Sequence, residues 1–114
     1  MSVAELNTSA QVVLDASGNG QVTVGPNRAT EYWRVTKLAV FTSTAVKVPS
    51  AYVYTDSVSP SNLLDATYTG SQDSTDLDVP LAPGRRLVIR WTGGDVGTLA
   101  TVSIYGQRSI RDGL

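Results

Sequence analysis

Arg85-Arg86-Leu87-Val88-Ile89-Arg90-Trp91-Thr92 is the stretch that decides the fold. Leu87, Ile89 and Trp91 fall on one face of an extended chain, and Arg86, Val88 and Arg90 fall on the other. A two-residue period of this kind belongs to a pleated strand. Turn chemistry brackets it. Pro83-Gly84 precedes it, with proline fixing φ and glycine free to go positive, and Thr92-Gly93-Gly94-Asp95 follows. The same alternation of short β-type runs and turns extends outward from here in both directions.

Downstream, 97–105 reads as the final strand, with Ala100, Val102 and Ile104 inward, and 107–114 as a polar C-terminal tail. Upstream, 77–81 is short and extended, 68–76 is polar and turn-rich, 57–61 is loop, and 62–65 reads as one helical turn or a short strand. Residues 46–54 form a strand interrupted by Pro49, which places it at an edge or at a bulge because proline cannot donate to a ladder. The longest strand-like segment is 31–42. Trp33 and Val35 share one face, then Leu38 and Val40 appear in the other phase, so a bulge or bend is expected near Thr36-Lys37. Ser17-Gly18-Asn19-Gly20 reads as a hairpin turn between Val12 and Leu14 on one side and Val22 and Val24 on the other. Residues 1–9 are weakly patterned and read as an N-terminal arm.

Seven or eight strands at about ten-residue spacing are the signature of an all-β chain, an antiparallel β-sandwich or jelly roll. No segment of ten or more residues holds a helical apolar period. At 114 residues there is room for one domain, 1–114. Its expected core is Val12, Val22, Val24, Trp33, Val35, Leu87, Ile89, Trp91, Ala100, Val102 and Ile104.

Composition narrows the function. The absence of cysteine removes disulfides, thiolate metal sites and cysteine nucleophiles. The absence of histidine removes the commonest general base and most transition-metal sites. A net charge of -1 gives no global electrostatic case for nucleic acid. The start, Met1-Ser2-Val3-Ala4-Glu5, lacks the basic and apolar runs of a signal peptide, and no segment has the roughly 20 apolar residues of a membrane span. The chain is therefore expected to be made in a cytoplasm and not exported by that route. Neither glycine turn has phosphate-loop spacing, and neither opens a helix. No enzyme activity and no cofactor are expected.

Asp73, Asp76 and Asp78 lie among Ser71, Gln72, Ser74 and Thr75, where loop oxygens could hold Ca²⁺. Their spacing fits no EF-hand, and a solvated loop is the expected reading. Residues 61–84 carry Asp65, Asp73, Asp76 and Asp78 without a lysine or arginine, whereas 85–114 carry Arg85, Arg86, Arg90, Arg108 and Arg111. Candidate partner contacts are Tyr52 and Tyr54 on an edge-like strand, and Arg108, Ile110 and Arg111 in the tail. Tyrosine offers amphipathic area at low entropy cost, and arginine pairs well with carboxylates.

Three stretches, taken in order, carry a resemblance. They are Gln21-Val22-Thr23-Val24-Gly25-Pro26 followed by Tyr32-Trp33-Arg34-Val35; Tyr52-Val53-Tyr54 followed by Leu64-Asp65-Ala66-Thr67; and Leu81-Ala82-Pro83-Gly84 leading into Leu87-Val88-Ile89-Arg90-Trp91-Thr92-Gly93. In style and order the chain resembles small virion proteins of tailed bacteriophages, particularly phages of actinobacteria. The resemblance implies a structural protein of the virion, a β-sandwich or jelly-roll subunit present in many copies. Such a protein would serve as a capsid decoration or minor capsid protein, or as a neck or tail subunit. It would dock on other virion proteins without catalytic residues, nucleic acid or membrane. The alternative reading is a carbohydrate-binding module or receptor-binding tip, which needs Trp33 or Trp91 on the surface.

Overall fold

The computed structural model of the chain describes residues 2–43, 46–47, 49–69 and 72–110. Eight strands run in order: β1 (Ser2–Val13), β2 (Gly20–Val24), β3 (Glu31–Thr42), β4 (Ser50–Thr55), β5 (Leu63–Thr69), β6 (Gln72–Leu81), β7 (Leu87–Thr92) and β8 (Leu99–Ile110). They form two antiparallel four-stranded sheets, β1-β8-β3-β6 and β2-β7-β4-β5. β1 pairs with β8, β2 with β7, β3 with β6 and β4 with β5. The chain is thus one long hairpin rolled up on itself. Cross-pairs β3–β8 and β4–β7 close the roll. This is the eight-stranded jelly roll, the architecture expected from strand count and spacing.

The core lies between the sheets. Val35, Leu38, Leu87, Ile89, Ala100, Val102 and Ile104 are wholly buried, and Trp91 and Trp33 retain 1% and 8% of their surface. Val12 and Val24 pack against this cluster from its margin. Every other residue of the expected core is in it.

The phase slip in β3 is a bulge. The register breaks between Val35 and Lys37 on both sides: against β8 Thr36 is the extra residue, and against β6 the extra residue lies on β6, between Asp76 and Val79. Thr36 and Lys37 both face solvent, so Trp33 and Val35 before the bulge, and Leu38 and Val40 after it, all point inward. Opposite Val35 stands Gly106, where a Cβ would overlap the Arg34 carbonyl oxygen. The bulge therefore requires a residue without a side chain on its neighbour.

Five local expectations need correction. The turn at 17–20 does not make a hairpin, because β1 and β2 lie in opposite sheets and the turn carries the chain across the sandwich. β4 is an interior strand between β7 and β5; buried Pro49 precedes it and removes no ladder donor. The bulges on β4 face β5, between Ala51 and Tyr52 and between Val53 and Tyr54. Of the polar stretch 68–76, residues 68–69 end β5 and 72–76 begin β6. As an edge, β6 can expose Asp76 and Asp78 while Leu77, Val79 and Leu81 face the core. The segments read as arm and tail are strand from Ser2 and as far as Ile110. Finally, the loop read over 57–61 runs into a single 3-10 turn at 60–62, and of the two readings open for 62–65 the strand holds, from Leu63.

Candidate partner-binding face

The connections gather at the two ends of the sandwich, and the two ends differ in chemistry. One end collects the β1–β2, β3–β4 and β7–β8 loops. Backbone bonds lock the first to the third: Leu14 N–H to Thr98 O at 2.9 Å, Gly97 N–H to Leu14 O at 3.0 Å and Gly94 N–H to Gly18 O at 2.9 Å. The Gly93 amide adds a bond to Asn19 Oδ1 at 3.2 Å. Gly18 has φ +75°, and a Cβ there would overlap the Gly94 carbonyl, so this approach of two loops needs glycine. Asp15 shapes the turn from within by accepting the amides of Ser17 and Asn19.

The β3–β4 loop joins the same block. Asp95 Oδ2 accepts the amides of Val46 and Lys47, both at 3.0 Å. Ser43 bonds Leu99 twice, through its amide to the Leu99 carbonyl and through its Oγ from the Leu99 amide. Described residues of three loops far apart in sequence thus hydrogen-bond to one another.

On this braced end sit large apolar side chains open to solvent. Val46 is 81% exposed, Val96 68%, Val13 61%, Phe41 51% and Leu99 38%. Val13 and Leu99 are cross-strand partners on the outer face of the first sheet, and Phe41 stands one row further along, opposite Thr101. Single exposed apolar residues are ordinary, but five at one end of a small domain, held on hydrogen-bonded loops, make that end a candidate contact surface. Because the loops are fixed beforehand, a partner would bind without first having to order them.

The opposite end carries the ion pairs, together with exposed Val3, Val58, Leu63 and Leu64. Glu31 is buried and accepts Trp33 Nε1–H at 2.9 Å and the Asn27 amide at 3.1 Å, with Arg108 Nε 3.9 Å away. The Trp33 bond, more than the two backbone bonds or Arg108, holds its carboxyl below the usual range against the opposing effect of burial. Asp56, at φ 65°, accepts the Arg86 amide and pairs with Arg85 Nε at 2.8 Å, which lowers its pKa. Arg34 makes a two-point pair with Asp78 at 2.8 and 2.7 Å. An open cleft of about 620 Å³ beside it is lined by Tyr32, Arg34, Pro80, Arg85, Gln107 and Ser109. Both of its arginines already hold carboxylates.

The contacts expected from sequence do not come together. Tyr52 and Tyr54 are half-buried on the outer face of the second sheet, in register with Arg90 and Val88. Arg108 and Ile110 end β8 at the ionic end of the first sheet, each beside β3. Arg111 lies outside the described residues. Of the three acids considered for Ca²⁺, Asp78 is taken by Arg34, and the Asp73 side chain is outside the described set. Among the described residues no group of three acids is placed to hold a metal ion.

Sequence reading missed Val13, Phe41, Val46, Val96 and Leu99. The signal was present in part. Val13 follows Val12, Phe41 follows Val40 and Leu99 precedes Ala100, so each is an apolar residue out of phase with the core face of its own strand.

No family model matches the chain, and no curated protein matches it. Among solved structures the chain is similar to one in the structure of infectious bursal disease virus Gt strain. The likeness has a TM-score of 0.42 at 10% identity, over 94% of this chain and 32% of the viral one. The chain therefore spans about a third of that protein's length. A likeness of this size assigns no function.

Proposed function

We propose that the chain is a non-enzymatic structural subunit of a phage particle, a capsid decoration or minor capsid protein that docks on other virion proteins. The observation that carries this reading is the braced loop end with Val13, Phe41, Val46, Val96 and Leu99 exposed. A surface of fixed shape and apolar character suits a permanent protein neighbour. The jelly roll is compatible with that role, although the fold alone does not assign it. Particle location and multi-copy assembly follow from the same reading.

The carbohydrate-binding alternative loses its platform. Trp33 and Trp91 are 8% and 1% exposed, so neither ring can stack on a sugar. The test is recovery of the chain with purified, intact particles of the phage that encodes it. A fixed copy number relative to the major capsid protein is expected. Absence of the chain from particles whose other structural proteins are complete would overturn the proposal.

A further inference from the structure

Four strands form the edges of the two sheets: β1 and β6 in the first, β2 and β5 in the second. Open edges invite pairing with another chain, and proteins usually guard them. β6 presents exposed Asp76, Asp78 and Pro80. β5 has an irregular register against β4. β2 has only five residues. β1 carries none of these guards. It runs for twelve residues in unbroken register with β8, from Ser2 opposite Ile110 to Val13 opposite Leu99. It contains no proline and no glycine, and Glu5 is its one charge. Among the described residues it has a hydrogen-bonded neighbour on one side alone.

The sequence of β1 is complementary to itself when read antiparallel. Consider a two-fold axis through Thr8, perpendicular to the sheet, which keeps outer faces on the same side. Position 3 then faces 13, 4 faces 12, 5 faces 11, 6 faces 10 and 7 faces 9. Exposed Val3 meets Val13, and these are two of the most exposed apolar side chains, at 60% and 61%. Glu5 meets Gln11 and Asn7 meets Ser9. On the inner face Thr8 meets its own copy, Leu6 meets Ala10 and Ala4 meets Val12. No like charges oppose each other, and each two-fold pair buries apolar against apolar or bonds polar to polar. Moving the axis to residue 7 or 9 separates the valines and takes Glu5 from Gln11.

We infer that β1 is the interface of a symmetric homodimer in which two copies join edge to edge, Thr8 against Thr8, into one continuous eight-stranded sheet. The pairing covers Val3 and Val13 and leaves Phe41, Val46, Val96 and Leu99 free for another partner. It stands independently of the virion reading, and the purified chain alone tests it.

The chain has no cysteine, so single introduced thiols report position without background. Antiparallel partners lie about 4.5–5.5 Å apart between Cα atoms, within disulfide reach. Mild oxidation of Thr8→Cys should give a covalent dimer of twice 12.1 kDa. Gln11→Cys, whose copies would lie about 20 Å apart at strand spacing, should not. Sedimentation equilibrium supplies a second readout on exposed side chains. Gln11→Glu sets two acids against Glu5 and should weaken association about tenfold, while Gln11→Lys should strengthen it. The inference is overturned by a 12.1 kDa species at every concentration of the intact chain, by cross-linking of Gln11→Cys as readily as Thr8→Cys, or by both charge variants shifting association the same way.

Discussion

Trp33 donates its indole N–H to the carboxylate of Glu31, two residues earlier on the same inward face of β3, at 2.9 Å. The pair closes the ionic end of the core, where the carboxylate is 5% exposed and Arg108 stands just beyond it. Two predictions follow from this geometry. Glu31→Ala should cost about 2–3 kcal/mol, because the buried indole N–H and the Asn27 amide both lose their acceptor. Glu31→Gln keeps an acceptor and should cost less. Denaturant titration separates the two.

The same carboxylate links stability to pH. Its folded pKa is depressed, so its contribution is complete above the ordinary glutamate range and is lost as pH falls through the folded value. Asp56 and Asp78, also depressed by their arginine and backbone partners, act in the same direction from the surface. Melting temperature should therefore fall with acidification below about pH 4. Glu31→Gln should flatten that slope relative to the intact chain. An unchanged slope would show that the carboxylate is not held as described.

Thr36 gives a sharper test of the fold. Val35 points in, Thr36 and Lys37 point out, and Leu38 points in again. Deleting Thr36 leaves Val35, Lys37 and Leu38 in plain alternation and in regular register with β8, while the edge strand β6 must bulge by one residue more. The deletion should fold, with a loss under about 2 kcal/mol. Deleting Ala39 instead would turn Val40 outward and Phe41 inward, and it should abolish cooperative unfolding. Circular dichroism melts of both deletions check the pair.

That bulge was legible because large apolar residues mark each phase. Much else was not. The inward positions of β1 include Ala4, Thr8 and Ala10, too small and mixed to reveal a strand. Arg108 and Glu31 share the ionic end through a side-chain pair that no periodicity encodes. The first half of β6 was hidden because residues 72–76 hold no apolar side chain, and only Leu77, Val79 and Leu81 report the core. The braced loop end was least legible of all. It forms where loop 14–19 meets loop 93–98, a contact set by topology and by the closeness of Gly18 to Gly94, not by any local pattern.

Gly18→Ala should separate those loops. It places a side chain at φ +75° and against the Gly94 carbonyl, and should cost more than about 2 kcal/mol. Amide exchange should quicken at Gly94 and Gly97 and leave β8 protected beyond Ala100. Uniform loss of protection across the sandwich would mean the braced end is not a separable unit.

The Arg34–Asp78 pair contributes little by contrast. Both side chains are 61% exposed, so water and salt screen the attraction despite its two-point geometry. Asp78→Asn should leave the melting temperature nearly unchanged at low salt, and any shift should vanish in high salt.

The most direct test of the central claim measures binding to particles assembled without this chain. The intact protein should bind to a fixed number of sites. The double variant Val46→Asp, Val96→Lys alters only exposed side chains of the braced end, and it should melt as the intact protein does yet fail to saturate those sites. Equal occupancy by the folded double variant, or no saturable binding by the intact chain, would contradict the account.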